Sequence, residues 1–242
     1  GPTHRVAVQG LAAPTVGAFE TPLGRVPIDQ RALGSLSDLP QVQRNDLAHA
    51  QEHALEVQLP FLQTVLGDGF GLVPLAVGRA SPAEVDEVLE RLWGGDETLV
   101  VISTDLSHYL TCAEARARDR ATVQRILSLA TDLRGEEACG AAPLNGALRA
   151  ARRHGLRPRL LGLRNSADAG VTRAGADRVV GYAALAFEQA PPGAADKVAE
   201  DEADEALGSV LVGTARLAIA QALGLAEARG CALPEHSALY RP

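Results

Sequence analysis

The sequence predicts an α/β fold with a mostly parallel central sheet flanked by helices, on three observations. Strand-like apolar runs alternate with helical patterns along the chain, and strands joined by helical crossovers pair in parallel. One run, Leu99–Ile102 in "ETLVVISTDLSHY", is continuous and rich in β-branched residues, as expected of a central strand buried on both faces. Polar residues then gather at strand ends: His4, Ser103, Thr104, Asp105, Ser107 and His108, and Ser166 to Asp168. In sheets of this kind, ligands bind outside the carboxyl ends of the strands.

Each element has its own signal. "HRVAVQG" (4–10) alternates apolar and polar residues as a half-buried strand does. "TPLGRVPID" is punctuated by Pro and Gly and reads as a turn with a short edge strand. Residues 45–66 predict a helix up to Leu59, capped by Asn45 or Asp46 and ended or kinked by Pro60. "GLVPLAVG" (71–78) is a short buried strand. "SPAEVDEVLERLWG" (81–94) is the clearest helix, with Ser81 as cap, Pro82 in the first turn and Glu84 at the capping-box position. Further helices are expected over roughly 113–131 and 136–154, and strands in "RPRLLGLRN" and "RVVGYAALAFE".

Composition narrows the classes. The 242 residues are 46% apolar, the level of a folded domain, and no run approaches a membrane span. No charged-then-apolar signal segment opens the chain, so a cytoplasmic protein is expected. Net charge is −7, and residues 196–205 hold six acids against Lys197 alone. Nucleic acid is excluded as a partner because phosphate binding needs clustered Lys and Arg. Cys112, Cys139 and Cys231 are widely spaced, which speaks against disulfides and a thiolate zinc cluster. The acidic, Pro- and Gly-rich stretch 189–205 reads as a linker, and the amphipathic segment 207–224 as the opening of a second, truncated domain.

"LAHAQEHALEVQLPFL" (47–62) carries His49 and His53 around Glu52, the H-x-x-E-H spacing of a zinc-protease class. Two histidines four apart share one face of a helix. That reading needs both on one metal, Glu52 as base, and a third ligand such as Glu136 or Glu137, which spacing alone supports. The other imidazoles sit in a different pattern. His4 follows Gly1-Pro2-Thr3, and Asp105 and His108 lie three apart after the apolar run. Two or three histidines with a carboxylate suit non-haem iron, or else zinc or copper. Glu52 and Glu56 could orient His53. Cys139 in "ACGAAP" reads as a small packing thiol, and Cys112 as a weak metal or redox candidate. His154 in "RRHG" suits a helix C-terminus.

Six segments, "GPTHR", "TPLGRVPID", "EHALEVQLPFL", "STDLSHY", "ACGAAPLNGAL" and "NSADAG…VVGYAA", occur in this order over Gly1 to about Phe187. Together they resemble the Memo-like family, known in bacteria as AmmeMemoRadiSam system protein B. The resemblance implies a fold like that of class III extradiol dioxygenases of the LigB type. It also implies a preceding strand and helix with a "PHAGY"-like segment, so that this sequence would be N-terminally truncated and Gly1-Pro2 native. "LVGTARLAIAQAL" resembles the first helix of an AMMECR-type domain, placing a Memo-like domain at 1–188 and the start of an AMMECR-type domain at 206–242. An AMMECR-type domain in cis and a radical SAM protein are the partners that the family implies.

The resemblance also implies a site. His4 and His53 match the first two family metal ligands, and His108 the position of the dioxygenases' catalytic base. Animal members carry a cysteine at the third ligand; here that position aligns with Ala169, and neighbouring Asp168 is the substitute. Two histidines and a carboxylate favour Fe(II), with Cu or Zn as alternatives. His108 would then act as general acid/base and Asp105 would orient a loop or a neighbouring imidazole, with Thr3 and Ser103 donating to a bound anion. A non-catalytic metal-binding or scaffold protein is the competing class. It has no need of an acid/base beyond its ligands.

Overall fold

The computed structural model describes residues 1–67, 69–168 and 178–189. Most of the acidic linker, the AMMECR-type segment and Ala169 lie outside the described residues.

The chain is mixed α/β, as expected. β1 (Leu11–Ala13) is wholly buried and lies between β4 (Val42–Arg44), its parallel partner, and β5 (Ala76–Val77), its antiparallel one. β2 (Ala18–Thr21) and β3 (Gly24–Pro27) form a hairpin, whose turn and second strand are the turn and short edge strand expected in "TPLGRVPID". Near the other end of the described chain, β6 (His108–Leu110), β8 (Val179–Gln189) and β7 (Leu156–Asn165) form an antiparallel sheet in that order. Among the described residues, parallel pairing is thus confined to β1–β4 and to isolated bridges such as Pro2 with Val77 and Gln9 with Arg79. The sheet is less parallel than alternation of strands and helices suggested. β7 and β8 are adjacent in space and need no crossover on that side.

Two predicted strands change character. Residues 4–10 form no strand; the buried ladder begins at Leu11, one residue beyond the alternating pattern. The expected central strand at 97–109 is not buried on both faces: Leu99 is 64% exposed, and Val100 and Val101 are also open. A strand exists by exchanging N–H and C=O groups with neighbours. Among the described residues no strand pairs with 98–105, and bonding to β8 begins at Leu106, whose N–H donates to Gly181. An apolar cavity of about 530 Å³ lies alongside, lined by Leu62, Leu66, Phe70, Val100 and Ile102 among others.

The expected helix at 45–59 is broken. α2 covers only Leu47–Ala50, a single 3-10 turn covers Glu56–Gln58, and α3 runs from Leu59 to Leu66. Glu52 is the cause: its Oε1 accepts the backbone N–H groups of His53 and Ala54, donors that a continuous helix would need. Pro60 begins a helix instead of ending one. It occupies the first turn of α3, where a missing N–H costs nothing.

Helices α1 (Gln30–Gly34), α4 (Pro82–Leu92), α5 (Cys112–Leu127) and α6 (Ala141–Arg153) complete the described fold. Leu11, Leu33, Leu36, Val85 and Val88 form one core; Leu106, Val123, Ile126, Leu144 and Leu148 form a second. α4 and α6 meet at Gly146, where a Cβ would stand 2.3 Å from that of Val85, so only glycine lets the helices approach this far. Buried Asp86 on α4 accepts from Arg149 and Arg153 on α6, pairing a carboxylate that burial would otherwise penalise. The predicted capping box of α4 is present: Ser81 Oγ accepts from Glu84 N–H at 3.2 Å, and Glu84 takes the Ser81 N–H at 2.7 Å. Ser81→Ala is therefore expected to lower the urea-unfolding free energy by about 1 kcal/mol. No loss would mean that the box is dispensable.

Candidate metal centre

Glu52 organises one half of the site. Its carboxylate, almost fully buried, accepts from the His4 backbone N–H, and its Oε1 lies 2.9 Å from His4 Nδ1. The same Oε1 takes the N–H of His53 at 3.0 Å and of Ala54 at 3.1 Å. Burial alone would raise this carboxyl, but the hydrogen bonds from His4 and Ala54 outweigh it and hold the group down to about 2. His53 is oriented in the same way, with Nδ1 2.7 Å from Glu56 Oε1. Both imidazoles thus have Nδ1 on a glutamate, and among the described residues neither Nε2 has a hydrogen-bond partner. Metal-binding histidines commonly use a carboxylate on one ring nitrogen to aim the other.

His49 is built differently. Its Nε2 lies 3.0 Å from the Ala12 carbonyl, its ring meets Phe19 edge-on, and burial pushes its pKa down. With α2 ending at Ala50, His49 and His53 share no helix face, and Glu52 is committed to His4. The H-x-x-E-H spacing does not produce a zinc-protease site.

The other half is held by β6. His108 Nε2 lies 3.6 Å from Asp105 Oδ2, too far for a hydrogen bond. Tyr109 follows in a left-handed conformation with φ 59°, which costs a non-glycine residue about 1–2 kcal/mol. The register against β8 shifts between His108 and Leu110, the mark of a bulge that re-aims a side chain. Behind the strand, buried Asp119 of α5 accepts the Ser107 N–H at 2.9 Å, and Gly181 exchanges backbone bonds with Leu106 and Ser107. Cys139, just before α6, places its Sγ 3.2 Å from the Asp105 N–H. Its own N–H donates to the Asp105 carbonyl at 3.1 Å. Asp105, His108 and Cys139 thereby bring three potential ligand atoms within 4.8 Å of one another.

The two halves meet through Gly1 and Ser103. A Cβ on Gly1 would lie 3.3 Å from Ala54 Cβ and 3.5 Å from Ser103 Cβ, and Gln58 donates to Ser103 Oγ at 3.0 Å. Asp168 stands on the turn after β7. Its Oδ1 accepts from Arg116 at 2.7 Å and its Oδ2 from the Asn165 N–H at 3.0 Å. Burial pushes its carboxyl upward, yet the Arg116 hydrogen bond brings the net direction below the ordinary range.

Residues 1–186 match the family model described as "Memo-like protein". The chain belongs to the Memo-like family. It is 34% identical to a MEMO1 family protein of Methanopyrus kandleri over 203 residues, covering 78% of this chain and 71% of that one. A MEMO1 family protein of Ignicoccus hospitalis is 31% identical over 202 residues, with 77% and 70% covered. One from Thermotoga neapolitana is 36% identical over 131 residues, covering 52% and 47%.

In this Memo-like chain the structure groups Asp105 with His108 and His4 with the loop carrying His53, while Asp168 is paired with Arg116. Three contributors escaped the sequence reading. Cys139, taken as a packing thiol, faces Asp105. Asp119 props β6 from a helix whose amphipathic pattern reveals nothing of that contact. Tyr182 on β8 stands close enough to Asp105 that, after burial, the carboxylate adds to the rise of the phenol's pKa. Only Cys139 had a signal, its place in "ACGAAP".

Among the described residues no helix is long and apolar enough to cross a membrane.

Proposed function

We propose that this Memo-like protein binds a redox-active divalent metal, Fe(II) in preference to Cu or Zn, through Nε2 of His4 and His53 and the carboxylate of Asp168. The observation that carries the reading is the pair of histidines whose Nδ1 atoms rest on Glu52 and Glu56. To join the set, Asp168 ligates through a lone pair not used by Arg116 or Asn165, since a carboxylate offers about four. A bound metal of this kind would supply dioxygenase-like redox chemistry toward O₂. His108 serves as general acid/base, moving a proton at Nε2, and Asp105 steadies the imidazolium that forms. Glu52 keeps the His4 ring in one tautomer by accepting at Nδ1. The AMMECR-type and radical SAM associates are partners of this activity.

The test is anaerobic metal analysis of the wild-type chain beside His53→Ala, His49→Ala and Asp168→Ala. Near-stoichiometric iron is expected in the wild type and in His49→Ala. His53→Ala and Asp168→Ala should lose affinity by at least about tenfold. Equal loss with His49 and His53 would overturn the assignment, and a wild type that takes up no metal would favour a scaffold role.

A further inference from the structure

We propose that Tyr109 and Arg178 form the recognition wall of the site and hold the oxyanion of a small carboxylate- or phosphate-bearing substrate beside His108, on the reading of that imidazole as the general acid/base. Successive residues of a regular strand point to opposite faces of the sheet. His108 and Tyr109 do not: their ring centroids lie 5.9 Å apart, with the rings tilted at 59°. The left-handed φ of 59° at Tyr109 and the register shift between His108 and Leu110 bring the phenol round to the imidazole. Burial does not offset the strain, because Tyr109 is 66% exposed. Strain that packing leaves uncompensated, in a segment that carries a site residue, points to function.

Arg178 supplies the charge. It immediately precedes β8, whose Val179 and Val180 pair with Leu110 and His108. Its guanidinium carbon lies 4.9 Å from the centre of the Tyr109 ring. A guanidinium over an aromatic face is held there by cation–π attraction and keeps its N–H groups for an acceptor. Among the described residues no carboxylate lies within ion-pair distance of Arg178; Asp105 stands beside the imidazole instead, 3.6 Å from His108 Nε2. The planar N–H fork of arginine matches the paired oxygens of a carboxylate or phosphate. Cation, ring and acid/base thus follow one another in steps of 4.9 and 5.9 Å. A small substrate anchored by its anion on Arg178 lies along Tyr109 and presents its next atoms to His108.

Inorganic phosphate and propionate are titrated by NMR into the metal-free 242-residue chain, with propionamide as the neutral twin of propionate. At least one anion is expected to bind, and propionamide is not; the tighter anion tells which oxyanion the substrate carries. Arg178→Gln should weaken that binding at least about tenfold, and Tyr109→Gly about threefold. Tyr109→Gly also separates recognition from structure. Glycine relieves the left-handed strain, so the variant should unfold at no lower temperature than wild type while holding the anion less well. A wild type that binds neither anion, propionamide binding as well as the anions, Arg178→Gln binding like wild type, or Tyr109→Gly losing stability along with binding would each overturn the proposal. Anion binding by a chain that takes up no iron would sink the metal reading alone, and iron uptake without anion binding would sink this one alone.

Discussion

Glu52→Ala is expected to weaken metal binding 10- to 100-fold and to destabilise the metal-free protein by about 3–5 kcal/mol. The size of the effect follows from how many groups depend on one buried carboxylate. It accepts the backbone N–H groups of His4, His53 and Ala54 and orients the His4 ring. Alanine would leave those part-buried donors without their acceptor, and each donor stranded away from water costs about 1–3 kcal/mol. The histidines would also lose their aim, since the loop from Gln51 to Leu55 is shaped by these bonds and not by a helical ladder. Glu52→Gln keeps the volume but sets an amide against N–H donors, and should fall between alanine and wild type. Competition titration with Fe(II) and urea unfolding read the two effects; a variant with wild-type values in both would remove Glu52 from its proposed place.

The same carboxylate makes the metal-free fold acid-sensitive. Its pKa in the folded chain lies near 2, below the ordinary 4.5. A depressed carboxyl contributes stability that is complete above its unfolded pKa and is lost as pH falls through the folded one. Wild-type stability should therefore decline between about pH 5 and pH 2 by about 3 kcal/mol more than that of Glu52→Gln.

Gly181→Ala is the second large effect expected, a loss of about 2–4 kcal/mol. An added Cβ would stand 2.0 Å from Asp119 Oδ2 and 2.5 Å from its Cγ. Asp119 is buried and holds the Ser107 N–H, so it cannot swing into solvent without stranding that donor and freeing β6. His108 sits one residue further along, so its placement should loosen in step with stability. Gly162 on β7 is the control, because a Cβ there meets no atom within 4 Å. Gly162→Ala should change stability by less than about 0.5 kcal/mol. Equal losses at the two positions would mean that close approach to Asp119 is not what requires glycine at 181.

Much of this was legible before any coordinates. Local chemistry sets α4, because Ser81, Pro82 and Glu84 satisfy its first turn from within a few residues. The turn before β3 follows from Gly and Pro punctuation, and six ordered motifs carry the family. The resemblance separated His53 from His49, and their contacts differ as well: Nδ1 of His53 lies on Glu56, while Nε2 of His49 lies against a backbone carbonyl. What escaped was whatever depends on partners distant in sequence. "LVVI" reads as a buried strand, yet burial and pairing come from neighbouring strands, and among the described residues none flanks it. The helix predicted through His53 fails because a buried Glu52 offers its backbone a better acceptor than the helical ladder, a competition that periodicity cannot register.

By itself, then, the sequence determined the α/β class, the cap of α4 and the family, since all of these reside in residue types at short spacing. Tertiary structure alone decided that Glu52 unites His4 with His53, that Asp119 and Gly181 set β6, and that Cys139 faces Asp105 and His108. Apart from the neighbours Glu52 and His53, those contacts join residues 12 to 62 positions apart, and the physical reason they were hidden is that a buried polar group is specified by the shape and hydrogen-bond needs of its surroundings.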